Sequence, residues 1–196
     1  MFELRGKVLQ DNKISMLNLS KRYIFLDRDG VINFDSPHYI RSPEEWSPIP
    51  GSLEAIHDLK KAGFRIIIIT NQSGIGRGYY SESTLGDIHQ KMHKALSVYN
   101  VELDGIFYCP HTPDENCECR KPKAGLLLQA AQKLQINLRG VPFIGDKETD
   151  VDAAIAGGAF PIRLGKPDVT TKAPFIFESL QEAVRALLHL ARHDER

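Results

Sequence analysis

From residue 23 onward, short apolar runs alternate with longer stretches in which apolar residues recur at helical spacing. Tyr23-Ile24-Phe25-Leu26 ends at Asp27 and predicts a buried strand. Pro37, Pro43, Pro48 and Pro50 predict an ordered but irregular loop over residues 31–50. Leu53, Ile56 and Leu59 give one helical face that Gly63 is placed to stop. Arg65 to Thr70, apolar on both faces, predicts a central parallel strand. Leu85, Ile88, Met92, Ala95, Leu96 and Tyr99 mark the next helix.

Strands at 106–108, 141–145, 161–164 and 175–177 follow, with helices at 126–134 and from about 148 to 156 between them. In the closing helix Ser179 and Glu182 form a capping box, and Leu180, Val184, Leu187, Leu188 and Ala191 make the stripe. This alternation predicts an α/β fold: a mostly parallel sheet covered on both faces. Ligands of such sheets bind beyond the carboxyl ends of the strands. Residues 1–20 have no clean periodicity, and Met16 is an alternative start, so they are expected to form an arm outside a domain spanning 21–196.

The chain has 196 residues, 26% of them charged, enough for one domain with a sizeable core. Lys plus Arg and Asp plus Glu both number 25, so there is no basic excess to neutralise a nucleic-acid backbone. No run approaches a membrane span, and Glu3, Arg5, Lys7 and Asp11 stand where a secretory signal would be apolar. The expectation is a cytoplasmic protein without nucleic-acid or membrane partners. No leftover apolar stripe reads as an interface, which favours a monomer.

The chemistry collects at the predicted strand ends. The first strand delivers Asp27-Arg28-Asp29-Gly30, the second Thr70-Asn71-Gln72-Ser73, and the fourth Gly145-Asp146-Lys147 with Asp150. Carboxylates gathered on one rim repel unless a cation sits between them, and hard oxygen ligands suit Mg2+. Alone, Asp27 and Asp29 also read as ordinary turn residues.

As an ordered set, Asp27-x-Asp29-Gly30, Thr70, Lys121 and Asp146 with Asp150 resemble the haloacid dehalogenase superfamily of aspartate-nucleophile phosphohydrolases over roughly residues 22–165. The resemblance implies a three-layer Rossmann-like fold, here with no large cap domain. It implies that Asp27 attacks phosphorus, that Asp29 protonates the leaving oxygen and then activates water, and that Thr70 and Lys121 hold the phosphoryl group. Mg2+ would be held by Asp27, Asp146 and the main-chain carbonyl of Asp29. Asp150 either orients the metal shell or Lys147, or is a first-turn helix acid.

Cys109-Pro110-His111, five residues, then Cys117-Glu118-Cys119 contains all three cysteines of the chain. Three thiolates and an imidazole match a closed tetrahedral Zn2+ site, read as structural, in a small loop spanning 109–119. It would hold Arg120 and Lys121 at the pocket mouth. The other six histidines read as ordinary, except His38 in the proline-rich loop.

Two superfamily branches carry such a zinc loop, the heptose bisphosphate phosphatases and the histidinol-phosphate phosphatases. Thr70-Asn71-Gln72-Ser73-Gly74-Ile75-Gly76-Arg77-Gly78 and Cys119-Arg120-Lys121-Pro122-Lys123 resemble the first branch. The short zinc spacer resembles the second, and Val31 departs from the Thr of many members. The resemblance implies a sugar bisphosphate pocket lined by Asp35, Ser36, Pro37, His38 and Thr70 to Ser73, with Arg77, Arg120, Lys121 and Lys147 facing the anions. A third reading is a zinc-stabilised module that binds a phosphorylated ligand without turnover; intact Asp27, Asp29, Lys121 and Asp146 argue against it.

Overall fold

The structure is a computed structural model that describes residues 16–193 and two short backbone pieces, β1 (Glu3–Leu4) and β2 (Lys7–Val8), which pair antiparallel. Six strands build the main sheet: β3 (Tyr23–Leu26), β4 (Arg65–Asn71), β5 (Gly105–Cys109), β6 (Pro142–Gly145), β7 (Phe160–Leu164) and β8 (Phe175–Phe177). Every pairing is parallel, in the order β5-β4-β3-β6-β7-β8. The order reverses at β3, between β4 and β6, where a doubly wound sheet opens its ligand crevice.

Among the described residues five helices cover the faces: α1 (Ser52–Lys61), α2 (Glu82–Ser97), α3 (Gly125–Leu134), α4 (Glu148–Gly157) and α5 (Leu180–His193). Side chains alternate across a strand, so Ile66 and Ile68 of β4 pack with α1, α2 and α5 while Ile67 and Ile69 pack with α3 and α4. The expected three layers and helical faces are present, with element ends displaced by one or two residues. At α5 the cap is only half of the expected box. Ser179 Oγ accepts from Glu182 N at 3.2 Å, but Glu182 reaches the amide of Glu178 at 2.9 Å, one residue earlier.

The proline-rich stretch is ordered, as expected. Its Pro43–Glu45 forms a 3-10 turn, Ile40 and Trp46 are buried, and Lys91 of α2 donates to the carbonyls of Pro43 (2.6 Å) and Trp46 (2.8 Å). Among the described residues of the expected arm, Leu17 and Leu19 are buried in the core and Asn18 N donates to Gly140 O at 2.8 Å. No helix among the described residues is long and apolar enough to cross a membrane.

Candidate active site

The turn after β3 folds tightly on itself: Ile32 N and Asn33 N donate to Arg28 O at 2.8 and 3.2 Å, and Gly30 N donates to Asn33 O at 2.8 Å. Gly30 has φ +80°, and a Cβ there would collide with the Asp146 carboxylate, so glycine lets the ends of β3 and β6 approach. Gly145 does the same for Asp150 in the first turn of α4.

Lys121 is buried at 3% exposure, and its Nζ lies 2.9 Å from Asp27 Oδ1, 2.7 Å from Asp150 Oδ1 and 2.9 Å from Ile69 O. Asn71 clamps its backbone, accepting from Lys121 N and donating to Lys121 O, both at 3.1 Å. Burial pushes the Asp27 carboxyl up to about 7; Lys121 pulls it down, while Asp150, Asp29 and Asp146 push it up. Burial also raises Asp146 to about 6, against the pull of Lys147.

Asp27, Asp146 and Asp150 bring carboxylate oxygens within 4.8 Å of one another. Asp150 has both oxygens engaged, Oδ1 with Lys121 and Oδ2 with Lys147 N at 3.0 Å. Asp146 Oδ1 is buried with no partner among the described residues. An orphaned carboxylate oxygen beside two more acids fits a hard divalent cation.

Asp29 points into a separate network. Its Oδ1 accepts from Arg28 Nε (3.1 Å) and Asn33 Nδ2 (2.8 Å), and its Oδ2 from Arg28 Nη2 (3.0 Å) and Gln72 Nε2 (2.9 Å). Burial pushes Asp29 up, but the Arg28 guanidinium and the hydrogen bonds of Asn33 and Gln72 outweigh it and hold the carboxyl below its ordinary range. Arg28 is wholly buried and its Nη1 lies 3.3 Å from His89 Nε2 on α2. Arginine has no acceptor, so His89 Nε2 is the acceptor and the imidazole is neutral. Burial, with Arg28 beside it, pushes His89 down to about 4.

A cavity of ≈ 370 Å³ opens over these groups. Asp27, Asp29, Thr70, Asn71, Gln72, Ser73, Arg120 and Lys121 line it, as do Asp35, Ser36, Pro37 and Lys147. Lys147 Nζ donates to Asp35 Oδ2 at 2.8 Å, an ion pair that joins two loops at the mouth. His38 and Arg77 are exposed and lie off the wall. Arg28, Asn33, Tyr80 and His89 belong to the site without having been singled out by sequence reasoning. A histidine one position from Ile88 on the apolar face of α2 was the available signal for His89.

Cys109, His111, Cys117 and Cys119 place one donor each within 4.8 Å of the others, and all three thiols are free. The sulfurs are 3.2–3.6 Å apart and His111 Nδ1 is 3.2 Å from Cys119 Sγ. Burial pushes the Cys109 thiol up, whereas Cys117 is lowered to about 7: burial raises it, but hydrogen bonds from Cys119 and the Arg120 amide prevail. Sulfur and nitrogen donors this close suit one tetrahedral soft cation with arms of about 2.3 Å. Arg120 Nη1 donates to His111 O at 3.3 Å, and Gly76 N to Pro110 O at 3.0 Å, so both flanking loops hang on this cluster.

Fold and site together define a hydrolase. A family model described as haloacid dehalogenase-like hydrolase matches residues 25–158, and the chain belongs to that family. Within it, the chain is 46% identical over 174 residues to the D-glycero-beta-D-manno-heptose-1,7-bisphosphate 7-phosphatase of Pseudomonas putida, covering 85% of this chain and 99% of that protein. The enzyme of the same name from Pseudomonas aeruginosa is 41% identical over 179 residues, covering 87% and 99%. Among solved structures, D,D-heptose 1,7-bisphosphate phosphatase from B. bronchiseptica, complexed with magnesium and phosphate, superposes with a TM-score of 0.79 at 39% identity, covering 86% of this chain and 98% of that one.

Proposed function

We propose that the chain is a Mg2+-dependent cytoplasmic phosphatase that removes the C7 phosphate of D-glycero-D-manno-heptose 1,7-bisphosphate, in the making of activated heptose for lipopolysaccharide. The observation that carries the reading is the meeting of Asp27, Thr70 and Lys121 around one cavity, with the Asp146 carboxylate grouped with that of Asp27, in a chain 46% identical to a relative of that name along 99% of its length.

A phosphate monoester is anionic, so an attacking carboxylate needs positive charge around it, and positioning supplies much of the rest. Asp27 attacks phosphorus, the bond to the sugar oxygen breaks, and that oxygen takes a proton from Asp29. Water then attacks the aspartyl-phosphate, Asp29 takes its proton, and inorganic phosphate leaves. Lys121 and the main chain of Arg28 both hold Oδ1 of Asp27, which fixes the carboxylate in the wall of the cavity. Asp29 is held ionised by its four donors, so protonating the leaving oxygen requires it first to take up a proton and to exchange one of those donors for the substrate. Asp27, Asp146 and the Asp29 carbonyl would hold Mg2+, which would supply positive charge to offset that of the phosphoryl oxygens. A bisphosphate carries about three to four negative charges, and Arg120 and Lys147 at the mouth, with Arg77 further out, suit its second phosphate.

Zn2+ at Cys109, His111, Cys117 and Cys119 is structural in this reading, since four protein donors leave no position for substrate. The test is phosphate release with Mg2+ from the heptose bisphosphate and from histidinol phosphate, beside Asp27→Asn. Preference for the bisphosphate, abolished by Asp27→Asn, is expected. Preference for histidinol phosphate moves the chain to the other branch, and binding without release from either makes it a binding module.

A further inference from the structure

Gln72 lies on the cavity wall, where a sugar contact is the obvious role, yet it is only 2% exposed and every hydrogen-bonding position it owns is taken. Its Nε2 donates to Asp29 Oδ2 and to Thr70 Oγ1, both at 2.9 Å. Its Oε1 accepts from Arg28 Nη2 at 3.1 Å and from the Tyr80 hydroxyl at 2.7 Å. A carboxamide offers two donors and two acceptor positions, so nothing remains for a sugar hydroxyl. Asn71, next to it, uses one donor and one acceptor on the Lys121 backbone and keeps the other half of its capacity.

The four partners also fix which way the amide faces. Arg28 has only donors, so the atom beside Nη2 must be the oxygen, and the NH2 must face Thr70 and Asp29. A hydroxyl that accepts from Gln72 turns its own hydrogen elsewhere, leaving the Thr70 O–H to donate into the cavity. The same NH2 ties Thr70 to Asp29, the groups that in the proposed reaction hold the phosphoryl group and serve the leaving oxygen.

We propose that Gln72 is a positioning residue, not a sugar contact: held by Arg28 and Tyr80, it aims the Thr70 hydroxyl at the phosphoryl group and sets the place of Asp29. The inference rests on the roles given to Thr70 and Asp29 under the proposed function. Because it concerns the phosphoryl group, its consequences do not depend on the alcohol attached to that group.

The experiment compares Gln72→Met and Tyr80→Phe with the parent protein on two substrates, the heptose bisphosphate and p-nitrophenyl phosphate, which has no sugar. Expected is a fall in kcat of about ten-fold or more for Gln72→Met, similar on both substrates, with KM little changed. Tyr80→Phe, which leaves Arg28 on Oε1, gives a smaller fall of the same kind and keeps the test readable if Gln72→Met folds poorly. The double variant Thr70→Val with Gln72→Met falls less than the product of the single losses. A rise in KM for the sugar substrate alone, with p-nitrophenyl phosphate turnover unchanged, overturns the proposal in favour of a sugar contact. Equal losses that multiply with Thr70→Val and track a lowered Tm overturn it in favour of a purely structural role. If the parent protein cleaves only p-nitrophenyl phosphate, the substrate reading fails while the comparison on that ester still decides the role of Gln72.

Discussion

Lys121 is the cation on which the buried carboxylates balance: it touches Asp27 and Asp150, and both are themselves inside. Removing one partner of a buried ion pair costs more than the pair contributes, because the remaining charge stays desolvated. Lys121→Met is expected to abolish turnover and to lower unfolding stability by about 3–5 kcal/mol. The loss should be smaller at pH 5 than at pH 8, since Asp27, raised to about 7 by burial, can then take a proton instead; urea titrations at both values check this.

His89 gives the opposite pH dependence. Its folded pKa, about 4, lies below the ordinary histidine value, so the unfolded chain binds more protons as pH falls through 6.5 and the fold is weakened until about pH 4. Between pH 7.5 and 5 this amounts to about 2 kcal/mol. His89→Asn keeps an acceptor for Arg28 but does not titrate, so its urea midpoint should change less over that range than the parent's.

At the scale of elements, the loop from Cys109 to Lys121 is held at one end by β5 and at the other by Asn71 on β4. The Cys/His cluster closes it between those ends, and the tie from Arg120 to the His111 carbonyl depends on that closure. Cys117→Ser, or chelation of Zn2+ bound at the cluster followed by restoring Mg2+ alone, is expected to raise KM for the bisphosphate more than it lowers kcat, because Arg120 loosens while Asp27 stays at the end of β3. Steady-state kinetics before and after chelation, with metal content measured, test this. The β6–α4 junction is equally specific, since a side chain at 145 would push Asp150 from Lys121. Gly145→Ala is expected to reduce kcat sharply although the strand has room for the residue's backbone; thermal unfolding alongside kinetics separates the two effects.

Over the whole molecule, the parallel sheet brings the ends of β3, β4 and β6 to one rim, and with them a group of carboxylates larger than Lys121 can neutralise. The folded values of Asp27, about 7, and Asp146, about 6, lie above the ordinary carboxylate range. At these two carboxyls the metal-free fold therefore holds more protons than the unfolded chain, and their contribution to stability declines as pH rises from about 4 through 7, opposite in sense to that of His89. Mg2+ competes with those protons, so the rise in Tm that it produces should be larger at pH 8 than at pH 6. Equal shifts at both values would show that the cation does not sit on these carboxylates.

Strand and helix positions, the order of chemical residues at strand ends and the gathering of every cysteine with one histidine were legible in the sequence, because periodicity, turn residues and ligand spacing are local properties of the chain. A mostly parallel sheet covered on both faces followed from alternation alone. Tertiary structure decided what distance along the chain hides: that Asp150 pairs with Lys121, that Asp35 reaches Lys147, that Leu17 and Leu19 enter the core, and that His38 and Arg77 stay off the cavity wall. It also decided the direction of Asp29 and Gln72, whose partners Arg28 and Tyr80, with His89 behind Arg28, come from three separate segments. A buried polar group must find its hydrogen bonds wherever the fold brings donors and acceptors together, and no pattern along one segment records that.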